Sequence, residues 1–152
     1  MSENPPGEPE PSPAVLRAVE LAGREAMALR HPFLGTEHLV IGVAGQAEET
    51  GRRIALEPAP HLLRREVVRV IAPGGAPRAQ APTFTPRVRT VLRLAREEAR
   101  RREGPHLGLH HLVWALVRVE EGTALRVLRA LDVDLPDARE RARAFLDRET
   151  LD

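Results

Sequence analysis

The chain of 152 residues has no cysteine and no tyrosine, and all 23 of its basic residues are arginine. Without cysteine there is no disulfide framework and no thiolate metal site. Without lysine there is neither a phosphate-cradling G-x-x-x-x-G-K-[ST] loop nor a Schiff-base amine. Serine occurs only at Ser2 and Ser12. Ser12 stands directly before Pro13 at the head of an amphipathic run, the place of an N-cap hydroxyl followed by proline at the first helical position. The stock of nucleophiles is therefore almost empty, and the composition speaks against an enzyme. No apolar run approaches the roughly 20 residues that span a bilayer. The polar, proline-rich N-terminus is unlike a signal peptide. These absences point to a cytoplasmic protein with no membrane contact.

What is present is ordinary for a globular chain: 42% hydrophobic residues, 30% charged residues and a net charge of +1. The length suits one compact domain, or two small halves sharing a core. The basic run Arg100-Arg101-Arg102 is flanked by Glu97, Glu98 and Glu103. The spacings Glu97–Arg101 and Glu98–Arg102 predict i,i+4 pairs on a solvated helix face. Aromatic residues at 3% are too few to interleave with these arginines as a base-stacking platform. A nucleic-acid-binding regulator is thus an alternative of a different class, and the composition argues against it.

The strongest pattern is a repeat. Pro32-Phe33-Leu34-Gly35-Thr36-Glu37-His38-Leu39-Val40 is answered by Pro105-His106-Leu107-Gly108-Leu109-His110-His111-Leu112-Val113, an offset of 73 (105 minus 32). The same offset aligns Pro13 with Pro86, Val15 with Val88, Leu21-Ala22 with Leu94-Ala95, and Glu25-Ala26 with Glu98-Ala99. Such self-similarity marks two copies of one supersecondary unit. Apolar residues at helical spacing predict helices over 13–30, 37–46, 52–56 and 61–71. They predict a second set over 86–103, 109–120, 123–131 and 136–148. No segment shows the alternation of a strand. The expected organisation is a disordered tail at 1–11, repeat 1 at 12–71, a Pro/Gly-rich linker at 72–84, repeat 2 at 85–148 and a short tail at 149–152. The fold class is all-α, two pseudo-symmetric four-helix repeats packed as one bundle.

The phrase Leu34-Gly35-Thr36-Glu37-His38-Leu39 resembles the N-terminal domain of the Clp AAA+ unfoldases. So do the break Val119-Glu120-Glu121-Gly122, the helix Thr123 to Leu131, and the Thr85-Pro86-Arg87 opening of the second copy. The likeness covers roughly residues 12–148 and is closest to the ClpC type. It implies a pseudo-twofold helical bundle that docks adaptors, degrons or substrate peptides for an ATPase ring. With no ATPase segment in the chain, the expectation is a free-standing N-domain. Such a domain would supply a Clp-type unfoldase with clients, or act as a decoy that sequesters Clp ligands.

Gly35, Thr36 and Glu37 form the candidate binding site. A helix start offers unpaired amides and a favourable dipole to a phosphate, Thr36 adds a hydroxyl, and the Glu37 carboxylate suits a guanidinium. Those groups together fit a phosphorylated arginine, and the resemblance to the ClpC type implies that use of Glu37. The plainer reading is that Thr36 caps the helix and Glu37 complements its dipole. In the second repeat Leu109 and His110 replace the hydroxyl and the carboxylate, so that site is diverged and at most one pocket is expected. His38 and His111 occupy equivalent positions and are read as structural, as is Trp114 on its apolar helix. His106, His110 and His111 lack a fourth ligand for a tetrahedral zinc site. No metal or cofactor is expected.

Overall fold

In the computed structural model, residues 8–75 and 80–151 are described, with side chains to Arg148. The first half contains β1 (Glu10–Pro11), α1 (Pro13–Ala28), β2 (Phe33–Leu34), α2 (Thr36–Thr50) and α3 (Pro60–Val70). The second contains β3 (Thr83–Phe84), α4 (Pro86–Arg101), β4 (His106–Leu107), α5 (Leu109–Arg118), α6 (Thr123–Ala130) and α7 (Leu135–Leu151). The Ser12 and Thr85 hydroxyls cap α1 and α4 by accepting from the amides of Val15 and Val88, each with proline in the first turn. One cap chemistry written twice begins both outer helices at the same point of the repeat.

The inner helices α2 and α5 carry the core. From Thr36 to Ala44 and from Leu109 to Leu112 every residue is buried. In front of them, α1 buries Val15, Ala18, Ala22 and Ala26, and α4 buries Val88, Val91, Ala95 and Ala99. The small residues on α1 let the α2 backbone come close. A Cβ on Gly42 would lie 2.1 Å from the Ala18 carbonyl oxygen, so only glycine fits that crossing.

The two halves clasp each other reciprocally. β1 runs parallel to β4, with Glu10 opposite His106, and β2 runs parallel to β3, with Phe33 opposite Thr83. These pairings exchange under the 73-residue offset. So do the bonds from Ser12 N–H to the Leu107 carbonyl (2.9 Å) and from Thr85 N–H to the Leu34 carbonyl (3.0 Å). Each repeat's leading strand therefore pairs with the other repeat's turn, which is what a pseudo-twofold axis requires.

Several expectations need correction. The four short strands fall where none was expected, and two-residue segments are too short to show an alternation. Glu10 and Pro11 belong to β1, so the expected tail is ordered there; residues 1–7 lie outside the described ones. Thr83–Phe84, the end of the expected linker, is β3, and 76–79 are not described. The helix α7 continues to Leu151, past the expected end near Arg148.

The expected third helix of repeat 1, residues 52–56, does not form. Helix α2 runs on to Thr50 and is stopped by Gly51 in the left-handed region at φ 66°. The following chain is irregular, with Ile54, Ala55 and Leu56 buried in succession and Pro58 and Pro60 following at once. The all-α class and the two repeats stand, with seven helices among the described residues.

The Arg100–Arg102 run is also more specific than a solvated face. Glu98 is buried and receives both Arg101 (2.6 Å) and Arg102 (2.7 Å), while Glu97 pairs with Arg93 rather than Arg101. Burial works against the Glu98 charge, but the two guanidinium bonds prevail and hold its carboxyl below the ordinary value. Arg102 also reaches Asp147 at 2.9 Å, fastening α7 to α4.

Candidate functional site

The first-repeat turn is built from both sides of its glycine. Gly35 is the N-cap of α2, and its carbonyl accepts from His38 and Leu39 amides at 3.1 Å. The Gly35 amide donates to His38 Nδ1 at 3.0 Å, closing the reciprocal arrangement that a glutamate usually makes at the third helical position. That bond fixes the remaining protons. With Nδ1 accepting, His38 carries its hydrogen on Nε2 and donates to His31 Nδ1 (2.9 Å); His31 then donates from Nε2 to the Ala72 carbonyl (2.9 Å). Burial, reinforced by neighbouring His31, lowers the His38 pKa to about 4. His38 is therefore neutral at physiological pH and belongs to a satisfied relay joining α2, the end of α1 and the segment after α3.

Thr36 is buried and does not cap its own helix. Its hydroxyl accepts from the Ala124 amide at the start of α6 (3.3 Å), a bond between the repeats. Glu37 is only 8% exposed. Its carboxylate folds back over Gly35, close enough that a Cβ there would be 2.4 Å from Oε2. Burial raises its pKa, against the opposing effects of its own amide and of His31. The nearest ring nitrogen, His38 Nδ1 at 3.7 Å, already accepts from Gly35 and supplies no positive charge. A carboxylate is thus held in a mostly dry position at a helix start, without a cation opposite among the described residues.

The second-repeat turn keeps only half of this. Gly108 N–H donates to His111 Nδ1 at 2.9 Å, matching Gly35 and His38. Burial and the nearby Arg102 lower the His111 pKa. Leu109 is fully buried where Thr36 made a polar bond. His110 lies flat on Phe145, with ring centroids 4.6 Å apart and an 8° interplanar angle. Burial, then Arg52, His111 and Arg148, lower its pKa to about 4. His106 is exposed in β4, so the three histidines once considered as metal ligands have separate surroundings. Trp114 is half-buried against the core, with the Arg118 guanidinium 4.5 Å above its ring.

Sequence reasoning found Gly35, Thr36, Glu37 and both turn histidines but missed His31, which stands directly after the helix expected over 13–30. The visible signal was a histidine on either side of the Pro-Phe-Leu-Gly turn. Nothing local signalled Ala124 as the partner of Thr36 or Phe145 as the partner of His110.

An all-α double repeat with reciprocal strand exchange and a Gly-x-x-His start to each inner helix defines a pseudo-symmetric helical domain. A profile of the Clp repeat (R) N-terminal domain matches residues 83–151. A ClpA homolog of Guillardia theta, named as an ATP-dependent Clp protease ATP-binding subunit, is 36% identical over 126 residues, 82% of this chain. A chloroplastic ClpC2 chaperone of rice is 35% identical over 126 residues, also 82% of the chain. The chain spans only 15% and 14% of those two proteins. The N-terminal domain of Arabidopsis ClpD superposes with a TM-score of 0.78 at 19% identity, covering 91% of this chain and 95% of that one. The Hsp104 N-terminal domain of Candida albicans gives 0.65 at 10% identity, covering 88% and 89%. The chain belongs to the Clp N-terminal repeat domain family. No described helix is long and apolar enough to cross a membrane.

Proposed function

We propose that this chain is a non-catalytic cytoplasmic module that binds peptides, degrons or adaptors of a Clp ATPase–protease, and that it reads a phosphorylated arginine at one pocket, the start of α2. The observation that carries the finer reading is Glu37, a desolvated carboxylate with raised pKa and no opposing cation among the described residues. A position whose charge lowers stability is what a ligand-binding group looks like in the absence of its ligand. A guanidinium would supply the missing charge. Drawn onto it, the carboxylate would uncover the first amides of α2, which then face the phosphate. Thr36 plays a different part, tying α2 to α6 and so holding the pocket rigid. The second repeat has buried Leu109 and stacked His110 at the matching positions and offers no such site.

Calorimetric titration with free phosphoarginine tests this. One equivalent should bind, and Glu37→Ala should abolish the heat. Absence of heat with the native chain would overturn the phosphoarginine reading. The broader reading is tested by recovery of a Clp unfoldase, its adaptors or its clients on immobilised protein at physiological salt, and failure to recover any would overturn it.

A further inference from the structure

Where the third helix of repeat 1 fails to form, the surface is left with a long depression. One part, about 400 Å³, lies between the chain at Ala55–Pro58 and the α6–α7 connection. A second, about 540 Å³, lies on the other side of the same chain, against the end of α2. Glu57, Pro58 and Arg141 line both. Among the described residues, no main-chain hydrogen bond joins any residue from Arg53 to Pro58 to another main chain. The segment is irregular, bending at Ala55, and its exposed ends, Arg53 and Glu57, leave main-chain groups beside the groove to which an incoming peptide backbone can bond.

The side chains say what kind of chain fits. In the first part of the depression Ala55, Leu62, Leu131 and Val133 provide an apolar floor. Around it stand Glu57, Asp132, Asp134 and Asp137, four carboxylates against the single guanidinium of Arg141. That guanidinium is turned onto Glu57 (2.8 Å) and lies 3.9 Å from Asp137. The rim of this first part therefore presents net negative charge over an apolar bed, although the chain as a whole carries +1 and the second part sets Arg52, Arg53 and Arg141 against Glu48 and Glu57. Electrostatic complementarity selects a cationic partner, and the floor selects aliphatic side chains beside its charges.

We propose that this groove docks an extended peptide segment of another protein in which arginine or lysine alternates with aliphatic residues. The inference rests on the reading of the chain as a peptide-binding module and assigns that module a second site, distinct from the start of α2. Basic side chains reach Asp132, Asp134 and Asp137, aliphatic ones settle on Leu62, Leu131 and Val133, and the peptide backbone bonds at Arg53 and Glu57, the exposed ends of the irregular segment.

The test uses the full chain and a short fluorescein-labelled peptide of alternating arginine and leucine, with its glutamate–leucine counterpart for comparison, followed by fluorescence anisotropy. The arginine peptide should bind saturably and the glutamate peptide should not. Asp132→Asn with Asp137→Asn should weaken binding about five- to tenfold, because both carboxylates sit on the rim. Asp132 has φ 60°, a conformation that asparagine adopts readily, so the fold is retained. Glu97→Gln with Glu120→Gln removes the same charge elsewhere and should leave the affinity unchanged. Equal weakening by both pairs would reduce the effect to bulk charge and overturn the proposal. So would binding untouched by either pair, although peptide binding by the module would then still stand. If neither peptide binds, the groove proposal falls, and the phosphoarginine titration decides separately whether the module reading falls with it.

Discussion

The two turns that begin α2 and α5 share a glycine N-cap and a histidine that bonds back to it, yet they are stabilised in different ways. Around Gly35 the connections are polar and long-range: His38 to His31 to Ala72, and Thr36 to Ala124. Around Gly108 they are apolar and flat, with Leu109 buried and His110 stacked on Phe145. The histidine–glycine bond is what the architecture needs at both ends of the pseudo-twofold. The residues between them are free to vary, and only the first repeat uses that freedom to keep a charge, at Glu37. The same contrast recurs downstream, where α6 of the second repeat has irregular chain as its first-repeat counterpart and the groove opens. Symmetry here fixes the frame, and the departures from it mark the candidate sites.

Removing apolar packing from the second turn should have the largest effect. Leu109 is 0% exposed, so Leu109→Ala should lower stability by about 2–5 kcal/mol, measured by urea denaturation. A cost well under 1 kcal/mol would mean that the second turn does not depend on that side chain.

Acidification acts on both turns. His38 and His110 each have a folded-state pKa of about 4 against an ordinary value of 6.5. Between those values the unfolded chain binds more protons than the folded one, so stability is intact above 6.5 and is lost as pH falls toward 4. The slope approaches about 1.4 kcal/mol per pH unit for each ring. His110→Phe, which keeps the stack on Phe145, should remove His110's share of the loss between pH 7 and pH 5 and leave the shares of His38 and His111. An unchanged slope would place the titration elsewhere.

These particulars also show what can be read from a sequence. The repeat, the caps at Ser12-Pro13 and Thr85-Pro86 and the apolar faces of α1 and α4 were legible because each depends on neighbours within a turn or two. The Gly-Thr-Glu-His start was legible for the same reason. The strand exchange was not, since β1 and β4 are two residues each and lie almost a hundred positions apart. Nor was the loss of the helix at 52–56, where the burial of Ile54, Ala55 and Leu56 outweighs local propensity. The candidate site was legible as a set of residue types, but its geometry depended on Ala124 and Ala72, which have no side-chain chemistry to advertise.

The bond from Ala124 to Thr36 exists only in the first turn, and its loss should have a smaller effect than the loss of Leu109. Thr36→Val keeps the shape and leaves the Ala124 amide without a partner in a buried position, at a cost of about 1–3 kcal/mol. Thr36→Ser, which retains the oxygen, should recover most of it. A Thr36→Val variant as stable as the native chain, with the loss confined to Thr36→Ser, would show that the methyl group matters and the hydrogen bond does not.

The smallest expected change has the opposite sign. Glu37 has its pKa raised in the folded protein, so between the ordinary value of 4.5 and that raised value the folded state holds more proton than the unfolded one. Stability therefore falls as pH rises through this window, and at neutral pH the folded chain carries the cost of a desolvated carboxylate. Glu37→Gln removes the charge and keeps the size, and should raise stability at pH 7 by up to about 1 kcal/mol while leaving it unchanged well below pH 4. Nothing at His110 can show this behaviour, since neutralisation there is already complete at pH 7. A stabilised Glu37→Gln that no longer binds phosphoarginine would tie the charge to recognition rather than to folding. A destabilised Glu37→Gln would instead assign the carboxylate to the helix cap and return the first turn to the purely structural role of the second.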